Sequence, residues 1–205
     1  MSAGSDEGLD DELAYRWPIP PPEGWTADDL DRIQGLPPHT ELIDGSLVFK
    51  SPQTAFHSRT LRLLDNALLA QAPDHLDVDR EMTVRLDAKN RPEPGIVVFS
   101  VGAVTGPDQT WYEPEHIVLA VEVVSADSRE RDREVKPRKY AAADVRHFWR
   151  VEQDDNGLPV VYVYELDPAT KSYGLTGIFH DQLKVSVPFD IEVDLTAINR
   201  RGAES

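Results

Sequence analysis

The sequence predicts an α/β protein in which a mixed β-sheet is flanked by helices. Apolar runs rich in valine and isoleucine, such as Ile117–Val124, have the length and composition of strands that are buried on both faces. Segments with apolar residues at helical spacing lie between these runs, as in a sheet with helices packed on its faces. The chain shows no repeat at a fixed period and no linker that would separate two domains. One folded domain is therefore expected.

The N-terminal residues are predicted to lead into this domain. Residues 1–13 contain five acidic residues and no basic residue, which is typical of a disordered tail. Four prolines between residues 18 and 22 favour a stiff, extended approach segment. We therefore assign residues 1–25 to the tail and approach, residues 26–198 to the domain and residues 199–205 to a second tail.

The first elements of the domain can be read from turn and capping signals. Thr26 and Asp29 have the spacing of a capping pair and predict a short helix from about residue 27 to residue 34. Asp44-Gly45 joins two short β-prone runs and predicts an N-terminal hairpin, because both turn positions accept positive φ; Glu41 lies on its first strand. Helical spacing of leucines then predicts a long helix that ends near Gln71 and has His57 near its start.

The remaining elements are predicted to be mainly strands. Apolar and polar residues largely alternate from Leu76 to Leu86, as in a half-exposed strand, and residues 95–99 form a buried one. Residues 101–114 form a loop long enough to be a lid or an oligomer contact. After Glu152, two turn signals separate three further runs and predict a C-terminal β-meander.

The composition restricts the classes of function. A net charge of −16 argues against general nucleic-acid binding, so any contact with DNA must be local. The absence of cysteine excludes disulfides, thiolate metal sites and a cysteine nucleophile, and leaves carboxylate and imidazole as metal ligands. No apolar run approaches a membrane span and no signal-like N-terminus is present, which indicates a cytoplasmic protein without a membrane partner.

Glu122 is the first candidate for a functional residue. It interrupts the apolar run Ile117–Val124, where an unpaired carboxylate would cost many kcal/mol to bury. The segment that follows, residues 129–150, holds eight Lys or Arg and four Asp or Glu, a charge of +4, whereas the rest of the chain carries 13 − 33 = −20. An acid at the end of a buried strand, followed by a basic helix carrying Lys136, suits a site for a cation and a phosphate.

Each of these residues also has a purely structural interpretation. Glu122 could be a buried carboxylate paired with a nearby Arg or Lys, and the residues alone leave both interpretations open. Lys136 could be one more solvated charge of a charged helix. We expect Asp132 to be a partner of Lys136 or a local cap rather than a metal ligand, and Tyr140 to belong to the core.

Several short blocks resemble a known family. They are ELIDG, a proline-and-histidine step before the long helix, RPEP before an apolar strand, and then VEVVS, DREVKPRKY and HFWRVE. In order and content they are similar to the Uma-type family, described as putative restriction endonucleases, within the PD-(D/E)XK nuclease superfamily. The resemblance covers roughly residues 35–195 and implies a restriction-endonuclease-like fold.

The resemblance also implies a chemistry and its residues. By position, Glu122 in VEVVS is similar to the metal-binding acid of the central strand, and Lys136 in DREVKPRKY to the catalytic lysine. Glu41 resembles an acid that such nucleases supply from their N-terminal region, and His57 the histidine after the proline step. The implied cofactor is Mg²⁺ or Mn²⁺, the implied partner is DNA, and the implied assembly is a homodimer.

The chain departs from the family at the start of the strand after RPEP. The family places an aspartate there, whereas this chain has Gly95, which supplies no oxygen ligand. Glu93 is the nearest carboxylate, but about 6.6 Å of strand rise separates the two positions, so Glu93 could replace the ligand only if the strand shifted. Two functions are therefore expected as alternatives: a Mg²⁺-dependent DNA endonuclease that is impaired by Gly95, or a catalytically inactive nuclease-fold protein with a binding or regulatory role.

Overall fold

The computed structural model describes residues 19–199. Of the predicted tail and approach at residues 1–25, residues 1–18 lie outside this range, as do residues 200–205 of the predicted tail at residues 199–205. The end of the proline-rich approach segment is held against the domain. The amide of Gly24 donates a hydrogen bond to the carbonyl of Pro21, which forms a turn. The ammonium group of Lys89 then donates to three successive carbonyl oxygens, those of Glu23, Gly24 and Trp25.

The domain begins with a short helix and a hairpin. The helix is a 3₁₀ turn, Ala27–Asp31, and thus ends three residues earlier than predicted; the Asp29 carboxylate accepts hydrogen bonds from the amide and hydroxyl of Thr26. Strands β1 (Glu41–Ile43) and β2 (Ser46–Val48) pair antiparallel. Asp44 and Gly45 have φ of 49° and 74°, which confirms the predicted hairpin turn.

The long helix is confirmed as α1 (Ala55–Gln71), whose first turn is capped by the side chain of Thr54. The strand predicted from residue 76 to residue 86 is divided into β3 (Leu76–Arg80) and β4 (Thr83–Val84). The division falls at Glu81, where φ is 55°, a left-handed conformation that a continuous strand cannot contain.

The other strands complete a mixed sheet. In chain order they and the second helix are β5 (Ile96–Ser100), β6 (Trp111–Tyr112), β7 (Ile117–Val123), α2 (Lys136–Ala142), β8 (His147–Gln153), β9 (Pro159–Asp167), β10 (Ser172–Phe179), β11 (Gln182–Val185) and β12 (Ile191–Asp194). The six-stranded sheet has the order β10-β9-β8-β7-β5-β3. Strands β7 and β8 are parallel because α2 connects them, and the other neighbours are antiparallel.

The predicted α/β architecture, with an N-terminal hairpin and strands at the C-terminal end, is therefore confirmed. The small pair β11-β12 follows the sheet. Part of the predicted loop at residues 101–114 is also attached to the domain, because β6 pairs with β4 and the Tyr112 ring stacks on Phe99 at 4.2 Å. None of the helices within residues 19–199 is long and apolar enough to cross a membrane.

Alternation along β7 directs its side chains to two different cores. Leu119, Val121 and Val123 pack on the α1 side of the sheet, where they join leucines of α1. Ala120 packs on the α2 side, with Tyr140 and Phe148. Glu122 lies on this second side by the period-two rule, so its carboxylate faces α2.

Helix α2 begins almost where Pro137 predicts, but the chain before it is already helical. Residues 131–135 form a π-helical turn, and the amide of Lys136 donates to the carbonyl of Arg131, five residues back. Proline has no amide hydrogen and its ring crowds the preceding turn, so a widened turn ahead of Pro137 removes the conflict. The π turn therefore fixes the rotation at which Lys136 enters α2.

A buried arginine fastens the N-terminal part of the domain to the sheet. The side chain of Arg91 is 3% exposed and pairs with Asp31 at 2.6 Å. It also donates to the hydroxyl of Thr83, the carbonyl of Ala27 and the hydroxyl of Thr110. One guanidinium group thus joins four separate chain segments.

We predict that Arg91→Ala lowers the free energy of unfolding by roughly 2–4 kcal/mol, because it leaves several hydrogen-bonding groups without their charged donor. Urea unfolding followed by circular dichroism measures this loss. Arg80→Ala is the control, since Arg80 is 49% exposed and its oxygen partner on Asp65 is 3.5 Å away. The control should lose less than about 1 kcal/mol. Equal losses of unfolding free energy in the two variants would show that the buried contacts of Arg91 stabilise the fold no more than an exposed ion pair does.

Candidate functional site

Three carboxylates surround the ammonium group of Lys136. Lys136 Nζ lies 2.7 Å from Glu41 Oε1, 3.1 Å from Glu122 Oε1 and 3.2 Å from Asp132 Oδ1. The side chains come from the hairpin strand β1, the central strand β7, the π turn and the first residue of α2. The structure thus brings together Glu41, Glu122 and Lys136, as predicted, and places Asp132 as the predicted partner of Lys136. We call these four residues the acidic cluster.

The acidic cluster is almost completely buried. Exposed fractions are 1% for Glu41, 3% for Glu122 and 2% for both Asp132 and Lys136. With every group ionised, three carboxylates and one ammonium sum to −3 + 1 = −2. Such an excess of negative charge is costly in a low-dielectric interior unless protons or further cations offset it.

The pKa values of the cluster follow from burial and mutual attraction. Burial raises the pKa of Glu122 to about 8; Lys136 opposes this shift, and Asp132 and Glu41 add to it. Burial also acts to raise the pKa of Glu41, but Lys136 and Lys50 outweigh it and hold that pKa below its usual value. Burial disfavours the charge on Lys136, yet the three carboxylates raise its pKa well above the usual range. A proton on Glu122 therefore removes part of the excess charge near neutral pH.

A second group of residues adjoins the acidic cluster. The amide of Glu93 donates to Glu41 Oε1 at 2.8 Å, and the Glu93 carboxylate has partners outside the acidic cluster. That carboxylate accepts from Lys50 Nζ at 3.0 Å and contacts His39 Nδ1 at 2.8 Å. Lys50 also lies 3.6 Å from Glu41. Glu93, a predicted metal ligand, thus touches the cluster through its backbone and through Lys50.

A small pocket opens beside the acidic cluster. It has a free volume of about 30 Å³ and its walls include Lys136, Glu122, Gly95 and His57. This space fits one water molecule or one bare ion, not a nucleotide. Burial and Lys50 lower the pKa of His57, so its imidazole is neutral at pH 7, and its Nδ1 is buried without a hydrogen-bond partner. His57, which resembles the family's histidine after the proline step, therefore lies at the pocket wall.

Gly95 lies next to Glu122 across the sheet. The antiparallel register pairs Ile96 with Val121, and the next step brings position 95 beside position 122. A Cβ atom at Gly95 would lie 2.8 Å from Leu61 Cδ2 and 3.9 Å from Val123 Cγ2. Both neighbours belong to the core on the α1 side. A side chain at position 95 would therefore begin towards α1 and would displace the tip of Leu61.

The donor chemistry of the acidic cluster fits a hard divalent cation, with one obstacle. Carboxylate oxygens are the ligands that Mg²⁺ and Mn²⁺ prefer, and Asp132 Oδ1 is buried without a hydrogen-bond partner. Within residues 19–199, however, no group of three or more His, Asp or Glu side chains is arranged to hold a metal ion. Lys136 Nζ lies between the carboxylates of the cluster, where a metal ion would have to bind.

The sequence analysis missed three participants in the site. The hydroxyl of Tyr140 donates to Glu122 Oε1 at 2.8 Å, so Tyr140 orients the carboxylate as well as packing in the core. Its spacing of four residues from Lys136 was an available signal, because both lie on one helix face. Ser128 donates a short hydrogen bond to Asp132. Lys50 had no local signal, since only the tertiary fold brings it to Glu41 and Glu93.

The positive charge of residues 129–150 is partly neutralised by nearby carboxylates. Arg138 pairs with Glu134 at 2.8 Å, and Lys139 pairs with Asp44 at 2.5 Å. Lys136 is buried in the acidic cluster. The surface charge available to a ligand is therefore smaller than the sequence count of +4 suggests.

We predict that stability falls as the pH rises from about 4.5 to about 8. The pKa of Glu122 is about 8 in the folded protein against 4.5 for the ordinary side chain, so the folded state binds the extra proton in this window. The contribution of this protonation to the free energy of unfolding is present at low pH and is lost as the pH rises, by at most about 1.4 kcal/mol per pH unit. Urea unfolding at several pH values in EDTA measures the slope.

Glu122→Gln should reduce this pH slope, because an amide does not titrate. Glu115→Gln changes an exposed side chain in the same way and should keep the slope of the natural protein. If Glu122→Gln leaves the slope unaltered, Glu122 is ionised throughout the window and the excess charge is offset by other groups.

Comparisons with known proteins agree with this architecture. Four chains of solved structures match, among them the crystal structure of a putative nuclease from Anabaena variabilis. It is 17% identical in sequence, covers 80% of this chain and 89% of its own, and has a TM-score of 0.58, which shows a common fold. A search of curated proteins gives no match.

The sequence profile of the Uma2 family, described as "Putative restriction endonuclease", matches residues 27–197. The match spans the hairpin, the central sheet, α2 and the C-terminal strands, and therefore includes every residue of the acidic cluster. The chain belongs to the Uma2 family of putative restriction endonucleases.

Proposed function

We propose that this protein is a metal-dependent endonuclease that hydrolyses DNA phosphodiester bonds at the acidic cluster. The observation that carries the proposal is that three buried carboxylates, those of Glu41, Glu122 and Asp132, converge on one cation position. A divalent cation held there would offset their negative charge and favour the ionised form of Glu122. The family description and the nuclease-like fold support the class of reaction.

The residues of the cluster take distinct roles in this proposal. Glu122 is the central ligand, and Tyr140 holds its carboxylate in place through the 2.8 Å hydrogen bond. Glu41 and Asp132 supply further oxygens, since both contact the same ammonium as Glu122. Mg²⁺ or Mn²⁺, when bound, would polarise a phosphoryl oxygen and lower the pKa of a coordinated water.

Lys136 contributes through its position and its charge. Its ammonium must leave the centre of the carboxylates for a cation to enter, and the pocket beside it is the adjoining space. From the pocket side, a lysine charge offsets the negative charge that develops on the transferring phosphate. Between the carboxylates, Lys136 therefore competes with the cation for the site. On the pocket side, its ammonium group acts in catalysis.

The same geometry favours a second candidate function, a nuclease-fold protein without catalytic activity. Gly95 provides no carboxylate at the place where the family has aspartate, and Glu93 is engaged with Lys50 and His39. Lys136 already forms ion pairs with the three remaining acids. In this alternative the ammonium is a permanent structural substitute for the metal, and the protein binds or regulates without cutting.

DNA is the proposed substrate, and a homodimer is the proposed active form. The first follows from the family's description as restriction endonucleases. The second follows from the chemistry, because cutting both strands of a duplex calls for two sites related by a twofold axis. The proposed localisation is cytoplasmic.

We predict that Lys136→Ala and Glu122→Gln separate cation binding from catalysis. Lys136→Ala removes the competing ammonium, so Mn²⁺ should raise the melting temperature of this variant more than that of the natural protein. DNA cleavage by Lys136→Ala should nevertheless be lost. Glu122→Gln removes the central ligand and should abolish both the Mn²⁺-induced shift and cleavage.

Thermal unfolding with increasing Mn²⁺ and cleavage of a plasmid measure the two properties. Lys139→Ala is the matched control, because Lys139 lies on the same helix and pairs with Asp44 outside the cluster. If Mn²⁺ raises the melting temperature of neither the natural protein nor Lys136→Ala, the acidic cluster does not bind a divalent cation. The protein is then the catalytically inactive alternative.

We predict that Gly95→Asp increases Mn²⁺ affinity and cleavage, because Gly95 and Glu122 line the same pocket. The new side chain begins on the α1 side, so it must displace the tip of Leu61 before its carboxylate can turn into that pocket. Removing one preorganised electrostatic group in other enzymes costs on the order of 10²–10³ in rate, and a comparable gain is the upper bound here. Gly95→Ala is the control for the displaced tip of Leu61, because it adds the Cβ atom without the carboxylate.

Cleavage rates and Mn²⁺ titrations of the natural protein and both variants give the comparison. A natural protein that cuts rapidly, together with a Glu93→Gln variant that does not, would show that Glu93 has taken the ligand role and that Gly95 is not disabling.

A further inference from the structure

A second pocket lies beside α2, on a face of the helix that is rotated by about 100° from the face that meets the acidic cluster. Lys136 and Tyr140 face Glu122, whereas Pro137 and Ala141 form a wall of this second pocket. The strands β8, β9 and β10 form its other walls, and its volume is about 230 Å³. We call it the outer α2 pocket.

The outer α2 pocket has a positively charged lining. Four basic side chains border it and one acidic side chain, Glu134, does so. The basic residues are Arg133, Arg138, Arg150 and Lys171. The chain has a net charge of −16, so this positively charged surface is opposite in sign to the overall charge of the protein.

The basic side chains are not fully neutralised by their neighbours. Arg133 and Arg150 share a single carboxylate, that of Glu152, so two positive charges meet one negative charge. The pairs Arg138–Glu134 and Lys171–Asp144 are largely solvent-exposed, with exposed fractions between 48% and 79%. Exposed ion pairs of this type are weak and exchange readily with other anions. The pocket can therefore accept an anionic ligand.

Apolar and aromatic groups form the rest of the lining. Pro137 and Ala141 come from α2, and the rings of Tyr164 and Tyr173 come from β9 and β10. The Arg150 guanidinium lies 5.6 Å from the centre of the Tyr164 ring and 4.5 Å from that of Tyr162. These tyrosines are partly exposed, and arginine beside accessible aromatic rings is the combination that binds the phosphate and the flat base of a nucleotide together.

We propose that the outer α2 pocket binds a nucleotide unit through its phosphate and its base. The proposal rests on the proposed action on DNA and names a place where a strand contacts the protein away from the acidic cluster. The same helix would then hold the strand with its outer face and carry Lys136 on its inner face. The ligand is either a nucleotide within a single strand or a free nucleotide, since both present the same chemistry.

Fluorescence anisotropy in EDTA tests the pocket without any contribution from metal or cleavage. The probe is a labelled single-stranded oligothymidylate of about ten nucleotides, a length typical of one strand-binding site. Arg138→Glu with Lys171→Glu should weaken binding by about tenfold or more and should flatten the dependence of log K on log salt by about 1.4, for two lost phosphate contacts.

The matched control is Arg129→Glu with Arg146→Glu. Both arginines are exposed, neither borders the pocket, and the variant has the same change in net charge. The control should bind almost as tightly as the natural protein. An equal loss in both double variants, or no loss in Arg138→Glu with Lys171→Glu, or no binding by the natural protein, would overturn the proposal.

Two further measurements identify the ligand and separate this proposal from the nuclease activity. Tyr164→Leu should weaken binding of the oligothymidylate several-fold, because the base loses the ring on which it stacks. Circular dichroism checks that the variant is folded. Displacement of the probe by thymidine monophosphate, but not by inorganic phosphate, indicates a free-nucleotide site; displacement by neither indicates a strand site. Glu122→Gln should bind the probe normally. Pocket-dependent binding without cleavage in any variant would refute the nuclease activity and leave the pocket intact.

Discussion

The burial of one ammonium group among three carboxylates is the interaction on which the rest of the site depends. Lys136 is 2% exposed, and each of its three acidic partners comes from a different element. None of these charges would be tolerated in the interior alone, because removing one partner from a buried ion pair leaves an uncompensated charge. The cluster is therefore satisfied only when the hairpin, the central strand and the π turn before α2 are all in place.

This dependence explains why several ordinary structural features have consequences for the site. The π turn that accommodates Pro137 fixes the direction of Lys136, and the Asp44-Gly45 turn fixes the strand that carries Glu41. Arg91 then connects the segment around Asp31 to the chain that leads into β5. A defect in any of these features would misplace a charge in the cluster, so the chemistry and the stability of this region cannot be separated.

The sequence was sufficient for the site residues that interrupt a pattern and insufficient for those that only the tertiary fold assembles. Glu122 breaks the pattern of an apolar strand, whereas Lys136 was distinguished from the neighbouring Lys139 by its resemblance to the family's lysine position. Lys50 follows an unremarkable strand, and nothing local connects it to Glu93. The kink at Glu81 was also missed, because alternation of apolar and polar residues continues through a residue with positive φ. The pattern of apolar and polar residues in the sequence indicates burial and secondary structure. Ion pairs between residues far apart in the chain depend instead on how the helices and strands pack.

The distribution of charge around α2 bears on how an acidic protein could act on the proposed nucleic-acid substrate. A chain with a net charge of −16 repels phosphate over most of its surface, and its inner face of α2 meets three acids. The outer α2 pocket is bordered by more basic than acidic side chains, of which α2 itself supplies Arg138. Attraction to a strand would then come from the outer face, while the inner face, being dry and acidic, is suited to hold a cation. Helix α2 has seven residues, so the side chains proposed to contact the strand and those that would adjoin the cation lie within about two helical turns of each other.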